Sequence, residues 1–342
     1  MGKIIAPSIA WIFKKLLIEI MGTMKGTLLV GEKILRQLGV HGVYVVDSTT
    51  ITLPDWAALH FPGTGSDAAV KWHTVLNVFS GCFQWNWITE GTKNDRKCFP
   101  EIKDLAGKLI IFDLGYFDFT LMQHIDIAGG FYLCRLKSNT VVMIREVVQG
   151  LGKSAIGKSL MMHPKKRRGN LIEVFCDYER IGLRLRVIGF WNPILCQYHW
   201  YATNLEVAAI VIYPLYRLRW QIELMFKGCK QSLNLDGIAS GNKNIIESLL
   251  LASLVAQFTS QTILRSSMTQ LEHDKKFAVS YQRISKVFCI IAKDFIPFLL
   301  SSVEDGLERL MRKIDLFFYE LFDPNYRRRR STIKIIQDTL NA

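Results

Sequence analysis

The sequence lacks the cysteine spacing that marks a zinc site or a disulfide framework. Its seven cysteines are spread over 342 residues, and no C-x-x-C pair occurs among them. Both kinds of site are therefore disfavoured. The odd number of cysteines and their apolar neighbours predict reduced, buried thiols, as in most cytosolic proteins.

The sequence is not expected to contain a membrane span or a secretory signal. Its longest apolar candidate, 245–264, includes Glu247 and Gln257 and is too polar for a confident span. The apolar stretch near the start, 4–13, is short, contains Pro7 and is followed by no small-residue cleavage site. We therefore expect no membrane partner, and we predict that both segments are buried helices.

Acidic residues are fewer than basic ones. There are 30 Asp and Glu against 43 Lys and Arg, which gives a formal net charge of +13. Such an excess favours a polyanionic partner. Basic runs at 165–168 and 327–330 are typical of exposed loops or tails that touch nucleic-acid phosphates without reading sequence. Nucleotide hydrolysis is disfavoured, because the glycine-rich segment 61–67 lacks the G-x-x-x-x-G-K-[ST] spacing of a phosphate loop.

The most informative segment of the chain has the pattern Y-x2-R-x3-E-x6-K. On one continuous helix, Tyr216, Arg219, Glu223 and Lys230 fall within a stripe about 60° wide, with Lys227 beside them. The opposite side carries the apolar residues Leu215, Leu218, Ile222, Met225, Phe226 and Cys229. The pattern predicts a core-packed helix that presents one carboxylate among several phosphate-binding cations. An ordinary solvated face is the alternative, since Arg219–Glu223 and Glu223–Lys227 are i,i+4 pairs.

Two further carboxylates accompany strand-like sequences. Asp47 lies within a β-branched and aromatic run that begins at Gly42, and Asp113 ends the apolar run 109–112 just before Gly115. Burying an ionised carboxylate is costly unless a cation compensates it, so the pair suggests a shared divalent metal with oxygen ligands. Each aspartate taken alone is equally well explained as a turn former or a helix cap.

These residues resemble the motifs of a known family. Asp47-Ser-Thr-Thr, Asp113-Leu-Gly-Tyr and the complete Y-x2-R-x3-E-x6-K string are similar to the DDE transposases of bacterial insertion sequences, of the insertion-sequence-four type. The resemblance covers about 42–265, and the helical signature is its most specific part. It implies an α/β fold, in which a ribonuclease H-like mixed-sheet core carries a β-rich insertion and flanking helical regions.

The resemblance also implies an activity and roles for individual residues. Asp47, Asp113 and Glu223 would be the catalytic residues and would bind two Mg²⁺ or Mn²⁺ ions, which promote in-line displacement at phosphorus. Tyr216, Arg219, Lys230 and Lys227 would bind DNA phosphates. The expected function is cleavage of transposon ends followed by 3′-hydroxyl strand transfer into target DNA. The expected assembly is a homodimer on DNA in the bacterial cytoplasm, associated with the nucleoid.

Three regions are predicted along the chain. A short helical N-terminal region spans 1–40, the catalytic domain spans 41–265 with its insertion at about 139–204, and a helical C-terminal region with a basic tail spans 266–342. A helix is also predicted at about 97–106. His73, His199 and Trp200 are predicted to be core residues; the alternatives are an approach to the metals for His73, and stacking on an unpaired base for His199 and Trp200.

Two other functions stay open at this stage. Family members carry a longer helical region before the first catalytic aspartate, so the short N-terminal region is expected to reflect truncation, a shifted start or a divergent end-binding region. A silent DNA-binding remnant of a transposase is therefore one alternative. A metal-dependent nuclease that cleaves DNA without joining it is the other.

Overall fold

The structure is a computed structural model. It describes residues 11–12, 15–16, 29–65, 68–81, 83–99, 105–137, 139–162, 171–232, 235–268 and 332–341. The two basic runs, most of 1–28 and nearly all of 269–342 lie outside these described residues, so the predictions for them stay predictions.

Nine strands form a single mixed sheet, in the order β3-β2-β1-β4-β5-β9-β8-β7-β6. The strands are β1 (Gly42–Thr52), β2 (Ala69–Asn77), β3 (Phe83–Glu90), β4 (Lys108–Phe112), β5 (Phe131–Arg135), β6 (Met143–Gln149), β7 (Ile172–Tyr178), β8 (Leu183–Asn192) and β9 (Gln197–Thr203). Strand β1 is antiparallel to β2 and parallel to β4, β4 is parallel to β5, and β5 is antiparallel to β9. The predicted α/β fold with a ribonuclease H-like mixed sheet is confirmed.

Helices cover the sheet. Those within the described ranges are α1 (Leu29–Leu38), α2 (Phe119–Ile127), α3 (Ala209–Tyr216), α4 (Trp220–Ser232), α5 (Lys243–Met268) and α6 (Thr332–Asn341). The end of α1 follows from the sequence, because Gly39 has φ +68° and stops the helix in the left-handed region, which favours glycine. Helix α5 confirms the helix predicted over 245–264. The described part of the chain contains no helix that meets the length and hydropathy required for a membrane span.

Two apolar clusters lie on opposite faces of the sheet. One contains Val45, Ile111 and Leu133 and packs against α3, α4 and α5. The other contains Val46 and Phe112, their neighbours along the strands, and packs against α2 and the strands β6–β8. Because successive side chains of a strand point to opposite faces, this assignment also fixes the face on which the residues after Phe112 lie.

The strands of the predicted insertion do not form a separate sheet. Strand β9 pairs with β5 through Arg135 and Tyr201, and β8, β7 and β6 follow it outward by antiparallel pairing. The β-rich character predicted for about 139–204 is therefore confirmed, and its strands extend the same sheet. They are called here the strand extension β6–β9. The division of the chain into three regions stays a prediction.

Two local predictions differ from the structure. Of the helix predicted over 97–106, residues 97–98 belong to a 3₁₀ turn, Asp95–Cys98, and 105–106 are not helical, whereas 100–104 lie outside the described residues. Asn94 caps that turn by accepting a hydrogen bond from Arg96 N at 3.0 Å. Among the described cysteines, Cys196 is exposed at the β8–β9 turn with φ 49°, whereas the other four are buried as predicted.

Candidate active site

Two carboxylates lie side by side where β4 ends. Val46 pairs with Phe112 in the parallel ladder, so Asp47 and Asp113 occupy the next position on neighbouring strands, at a strand spacing of about 4.8 Å. Val46 and Phe112 point toward α2, so both aspartates lie on the opposite face, the one covered by α3 and α4. The structure thus brings together two of the three predicted catalytic residues.

Backbone amides orient both carboxylates. Asp47 Oδ1 accepts a hydrogen bond from Ser48 N at 2.8 Å, and Asp113 Oδ1 accepts one from Gly115 N at 2.7 Å. Asp113 therefore does cap a 3₁₀ turn, as its alternative interpretation held, and it does so while facing Asp47. A Cβ at position 115 would lie 3.0 Å from Asp113 Oδ1, so glycine permits this close turn.

Negative charge is poorly balanced at this point. Burial and the charge of Asp113 raise the pKa of Asp47 to about 7, although the Ser48 amide and Arg219 act in the other direction. Glu223 adds a further increase to that pKa. Three carboxylates therefore act on one another here, and a bound cation would relieve their repulsion.

The signature segment is helical, but it is not one continuous α-helix as predicted. Helix α3 ends at Tyr216, a 3₁₀ turn covers Arg217–Arg219, and α4 begins at Trp220. The turn is tightened by a hydrogen bond from Trp220 N to the carbonyl of Arg217. Hydrophobic periodicity over three residues cannot distinguish i→i−3 from i→i−4 bonding, which explains the error. The predicted apolar side is confirmed: Leu215, Leu218, Ile222, Met225, Phe226 and Cys229 are all buried.

Arg219 connects the helix to the strand. Its Nη1 lies 3.0 Å from Asp47 Oδ2, and its Nη2 lies 2.6 Å from Glu223 Oε1. Side-chain exposures of 13% for Arg219, 12% for Asp47 and 33% for Glu223 show that this is not a solvated surface pair. One guanidinium therefore bridges two of the three predicted catalytic carboxylates, and the solvated-face alternative is wrong for Arg219.

The other predicted phosphate-binding residues differ in accessibility. Lys230 Nζ donates a hydrogen bond to the carbonyl of Thr50 on β1. Tyr216 is 8% exposed and packs on Tyr201 with 5.0 Å between ring centroids. Lys227 is exposed. The structure therefore places Lys227 in solvent, Lys230 against the edge of β1, and Tyr216 in the core.

A fourth carboxylate, Asp95, stands behind the site. Its Oδ1 accepts a hydrogen bond from Ser48 Oγ at 2.9 Å and lies 3.3 Å from Lys71 Nζ. Its Oδ2 would be 3.3 Å from a Cβ on Gly115, the residue whose amide holds Asp113. Asp95 therefore lies against residues that follow both predicted catalytic aspartates. The sequence alone assigned no role to Asp95, because its contacts join three distant segments.

His73 is a satisfied core histidine, as predicted. It is fully buried, its Nδ1 lies 3.3 Å from Tyr116 Oη, and its Nε2 lies 3.0 Å from Thr89 Oγ1. Burial lowers its pKa to about 4, so the ring is neutral at physiological pH, although the charge of Asp95 acts in the opposite direction. Trp87 stacks on the ring at 5.1 Å between centroids.

The predicted core positions of His199 and Trp200 are only partly correct. Both side chains are half-buried on β9. Trp200 stacks on Tyr198 with 5.2 Å between centroids and covers Gly189, where a Cβ would lie 2.5 Å from its ring. The missing side chain at Gly189 thus provides the space for this indole.

The donor set is suited in kind to a divalent metal, although the side chains do not form a closed cage. Asp47, Asp113 and Glu223 supply only carboxylate oxygens, the ligands that Mg²⁺ and Mn²⁺ prefer. Within the described ranges, no group of three or more His, Cys, Asp or Glu side chains is arranged to hold an ion. Glu223 Oε1 is instead paired with Arg219, so a metal held by all three carboxylates would compete with that guanidinium for Glu223.

Comparison with known proteins places this geometry in a family. A family model described as "Transposase DDE domain" matches residues 38–258, more than half of the chain. The chain belongs to the DDE transposase family. The matched range contains Asp47, Asp113 and Glu223, and it includes all nine strands.

The chain is also similar to individual transposases, at identities of 24% to 27%. The chain is 24% identical over 314 residues to the transposase for insertion sequence element IS231F of Bacillus thuringiensis subsp. israelensis, covering 78% of this chain and 65% of that protein. It is 25% identical over 319 residues to the transposase for IS1151 of Clostridium perfringens, covering 77% and 65%. A putative transposase, y4zB, of Sinorhizobium fredii is 27% identical over 246 residues, covering 70% and 64%. The chain thus spans slightly less than two thirds of the length of each of these relatives.

Proposed function

We propose that this chain is a metal-dependent DNA transposase whose catalytic residues are Asp47, Asp113 and Glu223. Its proposed substrates are transposon ends and target DNA, held by a homodimer in the bacterial cytoplasm. The observation that carries the proposal is the adjacency of Asp47 and Asp113 on parallel strands, facing a helix whose Glu223 is one guanidinium away. Membership of the family supports the same assignment.

Asp47, Asp113 and Glu223 would hold Mg²⁺ or Mn²⁺. When bound, two such ions activate the attacking oxygen and neutralise the leaving one. The raised pKa of Asp47 supports this role, because a cation beside Asp113 would keep both carboxylates ionised at neutral pH. Glu223 would swing from Arg219 toward the aspartates.

The released Arg219 would then bind the DNA backbone. A guanidinium freed from Glu223 can donate two parallel hydrogen bonds to a phosphate, which fixes the scissile strand. Lys230 and Lys227 would add point charges along the same helix. Positioning and charge stabilisation carry phosphoryl transfer, so no covalent protein intermediate is required.

The reaction would proceed in two displacements at phosphorus. In the first, water attacks a phosphodiester at the transposon end; the P–O bond to the 3′ oxygen breaks, and that oxygen takes up a proton. In the second, the resulting 3′-hydroxyl attacks a phosphodiester of target DNA, forms a new P–O bond and displaces another 3′ oxygen. In an alternative second step, the same 3′-hydroxyl would attack the opposite strand, closing the transposon end as a hairpin and displacing the 3′ oxygen of the flanking DNA.

A plasmid that carries the DNA flanking this gene tests the proposal. With Mn²⁺, the unaltered chain is expected to nick the plasmid, and Asp113→Asn is expected to reduce the rate by at least about 10³-fold, since the metals contribute several kcal/mol. Asp177→Asn is the matched control, because Asp177 bonds Arg145 on the strand extension. Equal cleavage by Asp113→Asn and the unaltered chain would refute the assignment.

Precleaved ends separate the proposed transposase from its alternatives. Incubation of such ends with a target plasmid is expected to give joined products. Cut ends without joining would indicate a nuclease, and DNA binding without either reaction would indicate a silent remnant.

A further inference from the structure

Arg135 lies in the same row across the sheet as the two catalytic aspartates. Phe112 of β4 pairs with Cys134 of β5, so Arg135 follows Asp113 across the sheet just as Asp113 follows Asp47. Cys134 points toward α2, and Arg135 therefore lies on the face covered by α3 and α4. The row continues onto β9, where Arg135 pairs with Tyr201.

Arg135 has no ion-pair partner within the part of the chain that the structure describes. No described acceptor hydrogen-bonds to it, and its Nε is shielded from solvent without a hydrogen-bond partner. A shielded donor without a partner destabilises the free protein. Such a group calls for a ligand that the free protein does not hold.

Three titratable side chains around Arg135 supply no counter-charge at physiological pH. They are His199, Tyr201 and Tyr216, whose pKa values its charge lowers. Burial outweighs that effect for both tyrosines and raises the pKa of Tyr201 to about 12, so both phenols are neutral. Burial also lowers the pKa of His199, which favours its uncharged form.

Three other cations near the site are already engaged. Arg219 bridges Asp47 and Glu223, Lys230 donates to the Thr50 carbonyl, and Lys71 contacts Asp95. Arg135 differs from all three because its side chain is half-buried beside Asp113 and has no acceptor within the described ranges.

We propose that Arg135 binds a phosphate of the DNA backbone next to the scissile position, donating from its two terminal nitrogens as a two-pronged contact. A phosphodiester offers two acceptor oxygens that match this fork, and its charge compensates the guanidinium. The inference rests on the proposed function, since it takes DNA as the substrate. It adds a contact that is available without any rearrangement, whereas Arg219 must first leave its carboxylates.

DNA binding without metal tests the proposal. Fluorescence anisotropy with a labelled 40-base-pair duplex of random sequence, in EDTA and over a range of NaCl concentrations, gives both affinity and salt dependence. Arg135→Gln is expected to weaken binding roughly 5- to 20-fold and to reduce the slope of log K against log[NaCl] by about 1, the value for one lost phosphate contact. Arg184→Gln is the matched control: it removes the same charge from a residue paired with Glu146 on the strand extension.

Arg135→Lys separates charge from geometry. It is expected to restore the salt slope, because the positive charge returns, and to restore only part of the affinity, because lysine lacks the fork. Circular dichroism and the melting temperature establish that each variant is folded. If Arg135→Gln does not fold, Arg135→Lys decides: affinity equal to that of the unaltered chain would overturn the proposal.

The outcomes are distinguishable from those for the proposed function. An unchanged slope and affinity in folded Arg135→Gln, or losses equal to those of Arg184→Gln, would overturn the Arg135 contact while leaving metal-dependent cleavage intact. An unaltered chain that binds no DNA at any salt concentration would overturn both. Loss of cleavage with normal DNA binding in Asp113→Asn would support the catalytic assignment without bearing on Arg135.

Discussion

Charged residues in the strand extension β6–β9 have partners on other strands of the extension, whereas the charges along β1, β4 and β5 do not balance. In the extension, Arg186 pairs with Glu173 at 2.6 Å, Arg184 with Glu146 at 2.6 Å, and Arg145 with Asp177 at 2.8 Å. Across the row, Asp47 and Asp113 repel each other, and Arg135 has no acceptor within the described ranges.

This difference in charge pairing indicates which part of the sheet binds a ligand. Cross-strand pairs in the extension are complete in the free protein and contribute to its stability. In the row formed by Asp47, Asp113 and Arg135, a divalent metal would neutralise the two carboxylates and a DNA phosphate would neutralise the guanidinium. The contrast therefore separates residues that maintain the fold from residues that bind substrate.

The largest expected effect on stability concerns the buried ion pair of Arg186 and Glu173 in the strand extension. Arg186→Ala is expected to lower the free energy of unfolding by about 3–5 kcal/mol, because it leaves a buried carboxylate unpaired. The side chains of Arg186 and Glu173 are each 11% exposed, and Arg186 also donates to the carbonyls of Leu205 and Val207 just before α3. Urea denaturation measures the change.

Arg184→Ala is the matched control for that measurement. Its side chain is 60% exposed and that of its partner 54%, so the loss is expected to be below about 1 kcal/mol. Equal losses of unfolding free energy in Arg186→Ala and Arg184→Ala would show that the buried pair stabilises the fold no more than the exposed pair, which would contradict this prediction.

A somewhat smaller loss of stability is expected when the guanidinium that bridges Asp47 and Glu223 is removed. Arg219→Ala should lower the free energy of unfolding of the metal-free protein by about 3 kcal/mol, because Asp47 and Glu223 lose their shared cation. Mn²⁺ should then raise the melting temperature of the variant more than that of the unaltered chain, since no guanidinium competes with the metal. Thermal melts with and without Mn²⁺ measure both.

Arg217→Ala, in the same 3₁₀ turn, is the control for this prediction. If Mn²⁺ raised the melting temperature of Arg219→Ala no more than that of Arg217→Ala, Arg219 and the metal would not compete for the carboxylates.

The smallest of these effects concerns pH. The pKa of His73 is lowered from 6.5 to about 4 in the folded protein, so the unfolded chain binds the extra proton first as the pH falls. Stability contributed by neutral His73 is thus present above pH 6.5 and lost between 6.5 and 4. The advantage of the unaltered chain over His73→Gln is expected to shrink by about 2 kcal/mol between pH 7.5 and pH 5. Urea denaturation at both pH values checks it, and an advantage that grows at low pH would mean that the ring is protonated in the fold.

The sequence predicted those features of the site that depend on local spacing. The i,i+4 relation of Arg219 and Glu223 and the buried apolar side of α4 follow from helical periodicity. The strands that carry Asp47 and Asp113 follow from their β-branched and apolar runs. Periodicity did not reveal the 3₁₀ turn, because three residues cannot report which hydrogen-bond ladder they follow.

Contacts between distant segments could not be predicted in this way. The pair of Arg219 with Asp47 joins residues that are 172 positions apart, and the position of Asp95 depends on how its turn packs against β1. Arg135 had one local signal, a cation at the end of an apolar strand. Its position beside Asp113 follows only from the parallel register of β4 and β5, which a single sequence does not determine.

A crystal structure of this chain with Mn²⁺ and a DNA end tests the central claim most directly. An anomalous manganese peak is expected about 2.0–2.3 Å from oxygens of Asp47 and Asp113, with Glu223 turned away from Arg219 toward the metal. A peak elsewhere, or Arg219 still bridging Asp47 and Glu223 with DNA in place, would contradict it.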